Sequence, residues 1–379
     1  MGDEDAQART LVVDRSRARN RCASSGILAP FDTATTLVKR STLKAFLFGV
    51  MLLALAIALG AFTTSQYVHN LSLEYLERGG QWQRYLAILN GHAGNPWQYR
   101  ILAPYLIKTV MRWSQHFPIA QPVATIFIGF RVFQDSCVLL LAYAYYRRLG
   151  LAIGPALLGL GCLAWSMSYS QHNSDLQFST FFDVMFYLLA GWCIAAKRLA
   201  WIVPLTLFAA LNRETSALIP VLLLSSSIYA MQAGAWRRVL PLVSTAAAVY
   251  VAVFLGLRGL YDHQALLVPD GHHIGLDMIK YNLTRSETWS ELLVCLGVVP
   301  LAAAFSYRHW PMQLKVSLWT IVPLWLAVHT VAAVLAEARL LLVPQALVFI
   351  PGALCGLGVT TAADTAPPSQ PRRARDSRT

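Results

Sequence analysis

Pairs of basic residues recur along the chain, each between two apolar runs: Arg147-Arg148, Lys197-Arg198 and Arg237-Arg238, with Arg308 and Lys315 completing the series. No acid stands in these four short connections. Basic residues next to apolar spans collect on the cytoplasmic side of a bilayer. The pattern therefore constrains the chain to cross a membrane repeatedly, with every second connection cytoplasmic.

Composition fits that reading. The chain has 379 residues, of which 56% are hydrophobic and 13% charged, about half the charged share of a soluble protein, roughly 25%. The net charge of +12 is gathered at span ends and in the two tails, so it is an orientation signal and not the footprint of a nucleic-acid partner. The cysteines are Cys22, Cys137, Cys162, Cys193, Cys295 and Cys355. None forms a CxxC pair and all but Cys22 lie in apolar runs, against a disulfide framework or a zinc site of cysteines. The first apolar run begins near Lys44 and is long enough to span, so no cleavable signal is expected.

The expected architecture is an all-α polytopic helix bundle of about ten spans with both termini cytoplasmic. The spans are read at 45–63, 123–146, 151–167, 177–196, 199–211, 216–231, 239–257, 292–305, 316–335 and 340–359. Basic tails at 1–43 and 361–379 are expected to be disordered, flanking a membrane domain at 44–360. Its two large outer loops are 65–118, carrying interfacial amphipathic helices, and 259–289. On this topology every acid from Glu74 to Glu337 except Asp135 falls on the outer side or just below it.

The stretch 197–238 is unusual. Its two apolar runs are short; the first, 199–211, is about 13 residues, or about 20 Å of helix against a hydrocarbon core of ~30 Å. Between them stands Asn212-Arg213-Glu214-Thr215. An Arg and a Glu recessed in the outer leaflet need a polar cavity or each other. Both readings stand: a pair that neutralises itself at a helix turn, or the wall of a functional cavity. Arg131 and Asp135, four apart on one helical face, read as an internal ion pair or as support for such a cavity.

Further polar groups converge on the outer side. The first loop carries Glu74, Glu77, Tyr99 and Arg100; the turn 169–175 carries His172 and Asp175; Glu337 and Arg339 precede the last span. In the second loop Asp270, His272 and His273 read as a mobile lid; adjacent histidines point apart, so a divalent metal is not expected there. Guanidiniums hold phosphate, and a carboxylate takes a proton from an attacking hydroxyl. The set suits a substrate with a phosphate head and an apolar tail.

Three motifs carry a resemblance: Asn212-Arg213-Glu214-Thr215 followed by Ala217-Leu218-Ile219-Pro220, Tyr99-Arg100-Ile101-Leu102-Ala103-Pro104, and Glu337-Ala338-Arg339. Over roughly 44–360 the chain resembles bacterial integral membrane proteins of the GT-C glycosyltransferase superfamily. The resemblance implies an inverting transferase of the bacterial inner membrane with an extracytoplasmic active site. Its donor would be a polyprenyl-phosphate sugar, its acceptor a saccharide or lipid, its surroundings membrane lipid. It implies Glu77, Glu74, Glu214 or Asp175 as catalytic carboxylate, and Arg100, Tyr99, His172, Asn212, Arg213, Glu337, Arg339 and His272 as substrate contacts. The chain departs from the family in its first outer loop, which has no Asp and reads Gln81-Trp82-Gln83-Arg84-Tyr85. A flippase for a lipid-linked saccharide and an inactive scaffold of a polysaccharide assembly complex are the alternatives.

Overall fold

A computed structural model describes residues 31–117, 121–172, 175–229, 234–268 and 271–357. The expected tails outside these residues, and Asp270 with them, lie beyond the described structure. The described residues are 81% helical, and among them the only strand-like pairing is one bridge between Asn95 and Leu266. It divides into two units, Met1–Leu52 and Leu53–Thr379. The described part of the first unit belongs to helix α1 (Phe31–Leu71), which begins inside the stretch expected to be disordered. Neither Gly nor Pro occurs from Phe31 to Phe48, so nothing in that stretch breaks the helix.

In the second unit follow α2 (Leu73–Glu77), α3 (Gly80–Leu89), α4 (Leu102–Ser114), α5 (Pro122–Arg148), α6 (Ile153–Ser168), α7 (Phe178–Ala195), α8 (Ile202–Ala210) and α9 (Leu218–Tyr229). Then come α10 (Ala235–Tyr261), α11 (Leu276–Thr284), α12 (Ser286–Leu296), α13 (Val299–Ser306), α14 (Met312–Ala332) and α15 (Ala338–Cys355).

Among the described residues six helices are long and apolar enough to cross a membrane: Thr42–Leu71 of α1, α5, α7, Trp236–Tyr261 of α10, α14 and α15. The segment from α12 through α13 makes a seventh if read as one bent span. The sequence predicts one span at 292–305 there. Instead α12 starts at Ser286, and the chain bends by 63° after it. Gly297 causes the bend: its φ of +58° is left-handed, open to glycine without a Cβ clash. Pro300 then falls in the first turn of α13, where a missing N–H costs nothing.

The short helix α6 returns the chain between α5 and α7, so these two long helices run in the same direction and the basic pairs that follow them gather at one end of the second unit. Arg148 Nε donates to the Ala195 carbonyl at 3.2 Å, joining the last turns of α5 and α7. At the start of α7, Gln134 Nε2 from the middle of α5 donates to the Phe178 carbonyl at 2.9 Å. The buried phenols of Tyr145 and Tyr146 reach across to α15, donating to the carbonyls of Leu347 (3.2 Å) and Ala346 (3.0 Å). Those carbonyls belong to a π turn, Gln345–Phe349, within α15. Gly159 and Gly191 leave room for the two rings: a Cβ on Gly159 would stand 2.9 Å from Tyr146 Cε2 and Leu354 Cδ1. Gly159→Ala is therefore expected to destabilise the fold by about 1–3 kcal/mol, the usual cost of overpacking, read as a lowered midpoint of thermal unfolding in detergent.

Candidate functional site

The end of the bundle opposite the basic pairs is organised around Asp183, a buried carboxylate on α7. After α8 ends at Ala210, Asn212 to Thr215 fold over it. Asn212 Nδ2 donates to Asp183 Oδ1 at 2.8 Å and to the Ser179 carbonyl at 2.8 Å. Arg213 Nη1 reaches Asp183 Oδ2 at 3.2 Å, and Thr215 Oγ1 donates to the same oxygen at 3.1 Å. Tyr187 and Tyr250 hold the carbonyls of Thr215 and Glu214. The break is thus a fixed loop and not a frayed helix end. It overturns the reading in which Arg213 and Glu214 neutralise each other, because each has a partner elsewhere.

Glu214 turns toward the first outer loop. Its Oε2 is 3.8 Å from Arg100 Nη2, while Leu102 N donates to the Leu211 carbonyl at 3.1 Å and ties that loop to the break. Glu214 Oε1 and Arg100 Nε are both buried with no hydrogen-bond partner among the described residues. Burial, then the neighbouring Arg213 guanidinium, lower the Arg100 pKa to about 10; Glu214, Asp183 and Glu337 pull the other way. Arg100 is therefore charged at neutral pH. Asp183, Arg213, Glu214 and Glu337 all act on one guanidinium.

Beside Arg100 the indole of Trp97 contacts two guanidiniums, with Arg84 4.5 Å and Arg100 4.9 Å from its ring centre. A cleft of about 50 Å³ opens there, lined by Arg84, Trp97, Arg100, Asp175, Gln177 and Ser179 among others. Asp175, on the turn before α7, is buried, pairs with Arg84 and accepts from Gln177 N at 2.9 Å. Tyr99 is buried beneath Arg258, whose guanidinium lies 4.5 Å from the ring centre.

Glu337 and Arg339 pair with each other at 2.6 Å, and Arg339 Nη1 donates to the His172 carbonyl at 2.9 Å. The first-loop acids stand apart. Glu77 Oε2 accepts the Ala124 N–H at 2.6 Å, which makes it a cap on the first turn of α5. Glu74 is exposed on α2. His272 is half-buried, with Nδ1 3.2 Å from Asp277 and its ring stacked on Tyr281 at 4.0 Å. None of its partners belongs to the Asp183 cluster. Asp277 also takes the His273 N–H at 2.9 Å, and this hydrogen bond lowers its carboxyl pKa. Glu77→Ala is expected to cost about 0.5–2 kcal/mol of stability through the lost cap, measured by thermal unfolding.

Behind the cleft Arg131 and Asp135 form a fully buried pair, 3.0 Å apart. Thr63 (2.8 Å) and Thr64 (3.2 Å) donate to the carboxylate. Arg131 also donates to the Leu176 carbonyl, next to Asp175, and so braces the turn that lines the cleft.

Sequence reasoning named Asn212, Arg213, Glu214, Arg100 and Asp175, which the fold brings together. It passed over Asp183, Arg84 and Trp97 as site residues. For Asp183 a signal existed: a carboxylate two turns into an apolar span needs a partner. For Trp97 none did. No family model, curated protein or solved structure matches the chain.

Proposed function

We propose that the protein is a multi-pass membrane glycosyltransferase that moves a sugar from a polyprenyl-phosphate donor to an extracytoplasmic acceptor. The supporting observation is the Arg100–Glu214 pair: a carboxylate with one buried oxygen free, beside a buried guanidinium, in a polar cluster at the end of the bundle away from the basic pairs. In this reading Glu214 takes the proton from the acceptor hydroxyl as its oxygen bonds to the anomeric carbon. The bond from that carbon to the phosphate oxygen breaks with inversion, and the lipid phosphate leaves with the electron pair. Arg100, with Arg84 across Trp97, balances the charge the phosphate gains.

The reading includes ten spans, in which α6, α8 and α9 cross as short helices alongside the longer ones, with the basic ends in the cytosol. The buried, apolar packing of Tyr145, Tyr146 and Leu347 toward those ends favours transfer over a flippase. The structural duties of Glu77 and Asp175 favour a second reading, an inactive scaffold. Purified full-length protein in lipid nanodiscs, supplied with labelled polyprenyl-phosphate sugars and a panel of saccharide acceptors, decides between them. Transfer above the protein-free rate supports the enzyme; its absence across the panel supports the scaffold. Sidedness has its own test. Single cysteines placed at Gln264 and at Arg237, in a chain stripped of native cysteines, are expected to react with an impermeant maleimide from the outside and the cytosolic side respectively.

A further inference from the structure

Away from the Arg100–Glu214 pair, one cluster of side chains has no assigned role. Glu287 and Glu291 lie one turn apart on α12 and share a face. Against them, from the turn after α6, comes His172, with Nδ1 3.2 Å from Glu287 Oε1 and 3.5 Å from Glu291 Oε1. All three ligand atoms lie within 4.8 Å of one another. Tetrahedral ligation at about 2.1 Å sets neighbouring ligand atoms about 3.4 Å apart, which matches both distances to the ring nitrogen.

The charges point the same way. Arg285 pairs with Glu287, while Glu291 has no ion-pair partner among the described residues except His172. The His172 side chain is nine-tenths buried with Nδ1 aimed at the two carboxylates. Its Nε2 has no hydrogen-bond partner among the described residues. Glu291 has no Lys or Arg partner among the described residues; a cation seated between the three atoms would offset its charge.

We propose that His172, Glu287 and Glu291 bind a borderline divalent cation, Zn²⁺ or Mn²⁺, one per chain. One imidazole and two carboxylates are a donor set for such ions. Three protein ligands leave at least one coordination position for water or another oxygen donor. Because His172 also offers its carbonyl to Arg339, the ion fastens α12 to the turn beside Arg339 and Glu337. The proposal does not depend on sugar transfer.

The test uses the full-length protein in detergent, stripped with chelator and titrated with ZnCl₂ and, separately, MnCl₂ by calorimetry. Metal content after gel filtration is measured by mass spectrometry. The expected result is one saturable site for at least one of the two ions and a higher unfolding midpoint when it is bound. Affinity is expected to fall at least tenfold in His172→Ala and in Glu291→Gln, and to stay unchanged in His116→Ala, at an exposed histidine elsewhere. Glu291→Gln keeps the side-chain volume, so a folded variant is available if His172→Ala fails to fold. No saturable site for either ion in the wild type, or equal affinity in Glu291→Gln, overturns the proposal.

Discussion

Glu214→Gln is expected to slow transfer from a polyprenyl-phosphate sugar by about 10²- to 10⁴-fold, the contribution of a well-placed general base. The amide keeps the size of the side chain and its reach toward Arg100, but it cannot accept the acceptor's proton. The loss should therefore fall on kcat, with KM for the donor changed little, because in the proposed mechanism the guanidiniums and not Glu214 hold the donor. The paired control is Glu77→Gln. Glu77 caps α5 through its Oε2, so its amide variant should turn over within a few-fold of wild type. A Glu214→Gln protein that transfers sugar as fast as wild type would remove this carboxylate from the reaction. A slow Glu77→Gln with normal Glu214→Gln would move the base into the first outer loop.

Asp183→Ala carries the largest expected cost to stability, about 3–5 kcal/mol, the range for breaking a buried ion pair from one side. The carboxylate answers three donors at once, from Asn212, Arg213 and Thr215. Its removal strands the Arg213 guanidinium in a site that is nearly closed to solvent. Arg213→Ala on its own should be comparably harmful. The double variant should lose less than the sum of the two, because neither charge is then left alone. Unfolding midpoints of the four proteins in one detergent give the coupling directly. Simple additivity would mean that the two groups do not act as a pair.

Much of the helical frame was legible in the sequence, and most of the side-chain pairing was not. Apolar runs announce helices because a buried or lipid-facing backbone must satisfy its own hydrogen bonds. The interruption at Asn212 to Thr215 was legible for the same reason, since charged residues do not continue an apolar helix without a partner. Which partner is a different question. Arg213 meets an acid 30 positions earlier, and Glu214 meets Arg100, in another loop altogether. No local periodicity encodes contacts at that distance along the chain. The same holds for Glu77, whose cap serves a helix that starts 45 positions later, at Pro122. The bend after α12 was missed although Gly297 and Pro300 were in plain view. A run of apolar residues masks a change of direction when only hydropathy is read.

The π turn inside α15 sets the rotational phase of the last span. One extra residue in a turn advances every following side chain by about 100° around the axis. Arg339 lies before that step; Gly352 and Leu354, packed on Trp310 and Gly159, lie after it. Deleting one residue between 345 and 349 would restore a regular helix. It would also swing one half of the span away from its neighbours, leaving two phenols and a guanidinium without the carbonyls they hold. The two ends of this span are thus keyed to each other through that turn, and a disturbance at the tyrosines is expected to shift Arg339 as well.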